Sequence, residues 1–132
     1  MDSLVPGIKH LEFWVSNLDK ALTFYQPLFF LLGWAQYANN GFRAPGSGTK
    51  IYFVENNVTK IDTVGPRHVC LRALSREIVN KAHEYLIFAN AKIIRGPLES
   101  EYSGRKSYHI DFKDPDGYVI EISYTTLDTT TK

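Results

Sequence analysis

His10, His68 and Glu121 are the residues of this chain whose types and placing suit the binding of a divalent cation. Neutral imidazoles and a carboxylate are matched to Zn, Ni, Fe(II) or Mn, and three protein ligands leave coordination positions for water and substrate. Open coordination serves catalysis more than structure. The two histidines recur by rule. Ile8-Lys9-His10-Leu11-Glu12-Phe13-Trp14-Val15 and Pro66-Arg67-His68-Val69-Cys70-Leu71-Arg72-Ala73 each set a histidine at the head of a short alternating run, 58 positions apart. In a strand, alternation sends His10, Glu12 and Trp14 to one face and Leu11, Phe13 and Val15 to the other. It likewise groups His68, Cys70 and Arg72 against Val69, Leu71 and Ala73. Near the C-terminus Tyr118, Ile120 and Ile122 form the apolar set, which leaves Val119, Glu121 and Ser123 opposite. Glu121 thereby joins the histidines on the face turned away from the helices. A single strand histidine is more commonly a hydrogen-bonded or half-exposed residue than a ligand; recurrence at equivalent positions with a matching glutamate favours the ligand reading.

Weaker candidates surround this triad. Glu12 and Arg72 share its face and could orient a polar substrate, or form an ion pair with each other across adjacent strands. Trp14, Tyr52, Tyr108 and Phe112 could line an apolar wall or belong to the core. Glu55 and His109 are the candidate catalytic residues, His109 as a general base unless it is merely exposed, and His83 reads as a solvated helix residue. Cys70 reads as a small buried hydrophobe, because no activating base is evident beside it. Gly46-Ser47-Gly48 lacks the Lys-Ser/Thr ending of a phosphate loop and is expected to be a mobile lid.

The elements that must position these side chains are legible in outline. Asn17 and Ser75, also 58 apart, are favoured helix N-caps because their side-chain oxygens accept from unpaired N–H groups of the first turn. Beyond Asn17 the apolar residues Leu18, Ala21, Leu22, Phe24, Tyr25 and Leu28 fall at helical spacing. Pro27 is expected to kink this helix or end its regular part, and Gly33 to close it. Beyond Ser75, Ile78, Val79, Ala82, Tyr85, Leu86 and Phe88 predict a second amphipathic helix ending near Ala89-Asn90. Strands are predicted over 34–37, 41–43, 50–54, 92–95, 108–112 and 118–124, separated by turn-rich segments that include Gly96-Pro97 and Asp114-Pro115-Asp116-Gly117. Each half thus reads as βαβββ, with module 1 at about 7–56, a connector at 57–65, module 2 at about 66–124 and a polar tail at 125–132. A half of about 60 residues buries little surface alone, so residues 1–132 are expected to form one domain with a shared core.

Composition excludes several roles. Fifteen Lys and Arg against fourteen Asp and Glu give a net charge of +1 with no basic run, which argues against a nucleic-acid partner. The longest apolar stretch, Leu28 to Trp34, is far short of the roughly 20 residues that a bilayer span needs. The first residues lack the pattern of a signal peptide, and the single cysteine permits no intramolecular disulfide. A reducing cytoplasm is the expected location.

These features resemble a known family. His10 followed by Leu18-Asp19-Lys20-Ala21-Leu22-Thr23-Phe24-Tyr25, then the His68 strand, then Asp114-Pro115-Asp116-Gly117-Tyr118-Val119-Ile120-Glu121, is similar to the vicinal oxygen chelate superfamily. That group includes glyoxalase I, extradiol dioxygenases, fosfomycin-resistance proteins and bleomycin-resistance proteins. The resemblance, over about residues 7–124, implies an α+β fold of two βαβββ modules whose sheets curl into a half-open cup. It carries the family's two ligand histidines onto His10 and His68 and its terminal ligand carboxylate onto Glu121. The implied function is that of a divalent-metal enzyme acting on a small substrate through neighbouring oxygens. Glyoxalase-like lyase or isomerase chemistry comes first, with Fe(II) extradiol dioxygenation and fosfomycin-type thiol transfer as alternatives. A metal-free binding protein of the bleomycin-resistance kind is the non-enzymatic alternative. Glyoxalase I adds a fourth ligand, a Glu in the last strand of module 1; here either Tyr52 or Glu55 takes that place, with Tyr52 preferred and Glu55 read as a solvated strand-end acid. A homodimer is also implied, in which the Phe29-Phe30-Leu31-Leu32 stretch would serve either the contact or the intrachain core.

Overall fold

The computed structural model describes residues 6–56, 68–102 and 104–125, with Tyr102 described by its backbone alone. The expected connector at 57–65, the Pro66-Arg67 start of the second repeat and the tail beyond Thr125 lie outside these residues. The chain divides into two compact units, Met1–Lys60 and Ile61–Lys132.

The first unit runs β1 (His10–Val15), α1 (Leu18–Leu31), β2 (Ala35–Ala38), β3 (Gly41–Arg43) and β4 (Lys50–Glu55). Its sheet has the order β1-β4-β3-β2, with β1 and β4 parallel. The second runs β5 (Val69–Arg72), α2 (Arg76–Phe88), β6 (Lys92–Tyr102), β7 (Arg105–Lys113) and β8 (Val119–Thr125). Its sheet has the corresponding order β5-β8-β7-β6, with β5 and β8 parallel. Each unit is a βαβββ module.

Both helices begin and end by the same local chemistry. Asn17 Oδ1 accepts from the Lys20 N–H at 2.9 Å and Ser75 Oγ accepts from the Ile78 N–H at 3.1 Å. At the far end of α1 the N–H groups of Gly33 and Trp34 donate to the carbonyls of Phe30 and Phe29, and Gly33 takes a φ of 92°. In α2 the N–H groups of Asn90 and Ala91 close onto Ile87 and Leu86 in the same way, with Asn90 at φ 57°. Both ends are Schellman closures, which satisfy otherwise orphaned carbonyls through a residue that tolerates left-handed backbone. Pro27 does not end α1, because it lies on the exposed side where solvent is at hand. Leu28 and Phe29 just beyond it are fully buried and hold the last turn to the sheet.

Alternation sorts the strands as their sequences require. Phe13, Val15, Ile51 and Phe53 are buried under α1, where Tyr25 stacks on Phe53 with centroids 4.5 Å apart and Phe29 on Phe42 at 4.7 Å. Leu71, Ile110, Phe112, Ile120 and Ile122 are buried with Val79, Ala82 and Leu86 of α2. Phe29 and Leu32 are core, whereas Phe30 is half exposed. Gly96-Pro97 departs from the expected loop. It lies inside the long β6–β7 hairpin, where the register shifts between Ile93 and Arg95 and again between Arg95 and Leu98. Such bulges let a strand pass a residue that cannot donate to the ladder.

Candidate functional site

Glu121 is placed by the turn that precedes it. Asp114 is buried and its Oδ1 accepts from the N–H groups of Asp116 at 2.9 Å and Tyr118 at 2.8 Å, while Gly117 supplies a φ of 93°. A side chain that hydrogen-bonds the backbone two residues on is the usual device of such turns. The turn fixes the register of β7 against β8, setting Asp111 opposite Glu121 and His109 opposite Ser123. On the other side Cys70 lies opposite Glu121.

On this helix-free face of the second module the functional groups of His68, Glu121, His109, Asp111, Ser100 and Arg95 converge. His68 Nε2 lies 3.1 Å from Glu121 Oε1. Two donors that each sit about 2.0–2.2 Å from one cation are themselves about 3.0–3.5 Å apart, so this spacing fits a shared metal ion. The remaining oxygen, Glu121 Oε2, lies 3.6 Å from His109 Nδ1. His109 Nδ1 is also 3.4 Å from Asp111 Oδ1, and its Nε2 is 2.9 Å from Ser100 Oγ. Asp111 Oδ2 accepts from Arg95 Nε at 2.7 Å, which holds the Arg95 guanidinium above its usual pKa. Single donor atoms of His109, Asp111 and Glu121 all lie within 4.8 Å of one another.

Cys70 belongs to the same face and is exposed, not buried as the sequence suggests. Crowding by its neighbours desolvates the sulfur, and the Glu121 carboxylate beside it opposes a second negative charge. Together they push the thiol up to about 12. His109 is buried, which removes the exposed alternative. Tyr108 is displaced from the expected wall. It shares the α2-covered face with Ile110 and the core residue Phe112, its hydroxyl donates to Asn80 Oδ1 at 2.6 Å, and the Arg76 guanidinium lies 3.9 Å from its ring centroid.

In the first module His10, Glu12 and Trp14 alternate onto the helix-free face of β1, and Tyr52 stands opposite Glu12 on β4. The His10 and Tyr52 rings lie 5.3 Å apart, and Trp14 Nε1 donates to Glu12 Oε2 at 2.7 Å. A hydrogen bond to Glu12 is the main cause that raises the Tyr52 phenol above its ordinary value, with desolvation and the negative charge of Glu12 adding to it. Trp14 is exposed rather than core. Glu12 and Arg72 lie in different sheets, so they do not pair across adjacent strands. Glu55 is occupied otherwise: its Oε1 accepts from the Leu18 N–H at 2.9 Å and so caps the start of α1. The Gly46-Ser47-Gly48 segment is the β3–β4 connection, tied by Gly48 N–H to Ala44 O and by Thr49 N–H to Ser47 Oγ. His83 is half-buried on α2.

Asp111, Arg95 and Ser100 are the site residues that sequence reasoning passes over. Asp111 could have been found by counting back from the Asp114–Gly117 turn, since a hairpin pairs residues symmetrically about it. Arg95 could not, because the register shifts on either side of it break any such count along β6.

The chain belongs to the Glyoxalase/Bleomycin resistance protein/Dioxygenase superfamily, whose profile matches residues 7–122. Among curated proteins it is similar to the metallothiol transferase FosB of Shouchella clausii (strain KSM-K16), with 30% identity over 129 residues that cover 94% of this chain and 84% of that protein. Among solved structures it is similar to a candidate glyoxalase from Bacillus halodurans, with a TM-score of 0.72, 22% identity and coverage of 89% of this chain and 94% of that one. A glyoxalase/bleomycin resistance protein from Albidiferax ferrireducens T118 matches with a TM-score of 0.68 and 18% identity over 89% and 98% of the two chains. The structural likenesses establish the fold. No helix among the described residues is long and apolar enough to cross a membrane.

Proposed function

We propose that this chain is a divalent-metal-dependent enzyme acting on a small substrate that offers neighbouring oxygens, with His10, His68 and Glu121 as the residues that hold the metal. The observation that carries the reading is the 3.1 Å approach of His68 Nε2 to Glu121 Oε1, a spacing suited to two ligands of one cation. His10 supports it by occupying at the head of β1 the place that His68 occupies just before β5. A cation bound there supplies Lewis acidity toward the substrate oxygens. The chain's own residues do the remainder: Glu12, Trp14, Tyr52 and Arg72 lie on the helix-free faces and orient the substrate.

Of the reactions open to this ligand set, thiol transfer to an oxygen-bearing electrophile is placed first. The metallothiol transferase relative supports it, as does Tyr52. A phenol at the position that corresponds to Glu121 gives three ligands rather than the four of glyoxalase I. In such a transfer the thiol sulfur forms the new C–S bond, a C–O bond breaks, and the thiol proton ends on the released oxygen. Glyoxalase-like lyase or isomerase chemistry is the second reading, favoured by the fold likeness.

The test has two stages. Metal analysis and Mn²⁺, Zn²⁺, Ni²⁺ and anaerobic Fe²⁺ titration of the purified chain should give one tight equivalent that His10→Ala, His68→Ala or Glu121→Gln each weakens. No binding of any of the four ions would overturn the enzyme reading in favour of a metal-free binding protein. The loaded protein is then offered a low-molecular-weight thiol with fosfomycin, hemithioacetals and catechols in turn. Turnover confined to the first supports thiol transfer, while turnover of hemithioacetals or catechols alone replaces it with isomerisation or ring cleavage.

A further inference from the structure

We infer that His109, braced by Asp111, is a positioning residue that turns Glu121 toward His68, an inference that rests on the metal-centre reading above. Glu121 uses its two oxygens differently: Oε1 faces His68 at 3.1 Å, and Oε2 faces His109 Nδ1 at 3.6 Å. Nδ1 faces two carboxylates, since Asp111 Oδ1 is also 3.4 Å away. Ionised carboxylates only accept, so this nitrogen carries the hydrogen. In the neutral ring Nε2 is then an acceptor, matched by the Ser100 hydroxyl at 2.9 Å. With both nitrogens engaged and only 3% of the side chain exposed, the imidazole has little freedom to turn.

The arrangement answers a specific electrostatic problem. Asp111 and Glu121 are directly opposed on neighbouring strands, and like charges so placed repel. Left to themselves the two carboxylates would swing apart, and Glu121 Oε1 would leave His68. The N–H of His109 faces both, and Arg95 draws Asp111 toward the other side through the 2.7 Å bond to Oδ2. The same bond argues that His109, Asp111 and Glu121 do not themselves enclose a cation, because a guanidinium already neutralises Asp111. His109 reaches Glu121 at 3.6 Å as an N–H aimed at a charge rather than as a hydrogen bond, and residues that hold a metal's ligands in place from behind characteristically contribute about 10–100-fold to metal affinity.

The two amide replacements of histidine separate positioning from mere support. Asparagine places its N–H near Nδ1, whereas glutamine places a polar atom near Nε2 and leaves the carboxylates without a donor. Mn²⁺ binding to the full chain, followed by electron paramagnetic resonance, should weaken about 10–100-fold in H109Q and recover most of that loss in H109N. The visible spectrum of the Co²⁺ form should shift in H109Q alone. Exposed Arg95 gives a variant that spares the core, and R95Q should weaken Mn²⁺ binding severalfold with the metal-free melting temperature unchanged. Wild-type affinity in both H109Q and R95Q would overturn the inference. So would equal losses in H109N and H109Q that track lost thermal stability, or a second bound Mn²⁺ that D111N removes. Wild-type affinity in E121Q is a different failure, which brings down the metal-centre reading itself and the positioning role with it.

Discussion

Tyr52 and Glu121 occupy the same register position in the two modules: Tyr52 pairs with Glu12, two residues beyond His10, and Glu121 pairs with Cys70, two residues beyond His68. A duplicated backbone therefore presents a phenol in one half where it presents a carboxylate in the other. The substitution also moves the acid. In module 1 the carboxylate stands on β1, as Glu12, and is bonded by Trp14 and Tyr52. In module 2 it stands on β8 beside His68. The carboxylate that stands on β8 is thus absent from the matching strand of the first module, where a phenol takes its place beside Glu12 and Trp14.

The Glu12–Tyr52 bond has a measurable consequence. The phenol is held above its ordinary pKa of 10.0, first by that hydrogen bond and then by desolvation and the charge of Glu12. Spectrophotometric titration of wild type minus Tyr52→Phe should show phenolate forming above the range of free tyrosine. Glu12→Gln should bring it back down, since the charge and the strong acceptor disappear together. A raised pKa favours the neutral phenol in the folded state. Its stabilisation is therefore complete below about pH 10 and is lost as pH rises through the folded value. A Tyr52 titration unmoved by Glu12→Gln would show that the bond does not govern it.

Cys70 should be a sluggish nucleophile despite its exposure. A pKa of about 12 against the ordinary 9.0 leaves very little thiolate at pH 8. The greater reactivity of each thiolate only partly offsets this, so alkylation should run on the order of 10–100-fold slower than in a cysteine peptide. Glu121→Gln removes the charge that opposes ionisation and should quicken labelling by iodoacetamide in metal-free protein. Metal loading should do the same by neutralising Glu121. Labelling of wild type at the peptide rate would contradict the assigned environment.

Much of this was legible from residue types and spacing, for identifiable reasons. The helix caps at Asn17 and Ser75 are local chemistry, and they form where the sequence places them. The facing of His10, Glu12 and Glu121 follows from a period of two counted from a buried neighbour, and needs no tertiary knowledge. What failed to show depends on pairing between distant strands. Tyr108 has the look of a site aromatic, but its parity with Ile110 and Phe112 puts it under α2, where Asn80 and Arg76 receive its polar end and its ring. Asp111 matters only through its partner across the hairpin. Glu55 reads as a solvated acid until the α1 N-terminus is brought against it.

The first module's stability should rest heavily on Phe53. It is fully buried and touches the rings of Tyr25, Phe13 and Phe29. Truncation removes the transfer energy of a large side chain and leaves a cavity among rigid rings that cannot collapse into it. Phe53→Ala should cost about 3–5 kcal/mol in urea unfolding, whereas the half-exposed Phe30→Ala should cost much less. Similar losses for the two would mean that the aromatic cluster adapts freely.

Gly96 and Gly46 give a matched pair for a last prediction. Both take a φ of +93°, where an L side chain is strained by about 1–3 kcal/mol. Their surroundings differ. A Cβ at Gly46 would meet nothing within 4 Å, while one at Gly96 would stand 2.6 Å from the His109 carbonyl oxygen and 3.1 Å from Ile110 Cα. Those are backbone atoms of β7, and they cannot give way without moving the strand that carries His109 and Asp111. Gly96→Ala should therefore cost at least about 2 kcal/mol more than Gly46→Ala in denaturant unfolding. It should also weaken Mn²⁺ binding, which Gly46→Ala leaves alone. Equal costs for the two alanines would show that β6 can withdraw from β7 at the bulge, and that the hairpin does not hold His109 as firmly as its contacts imply.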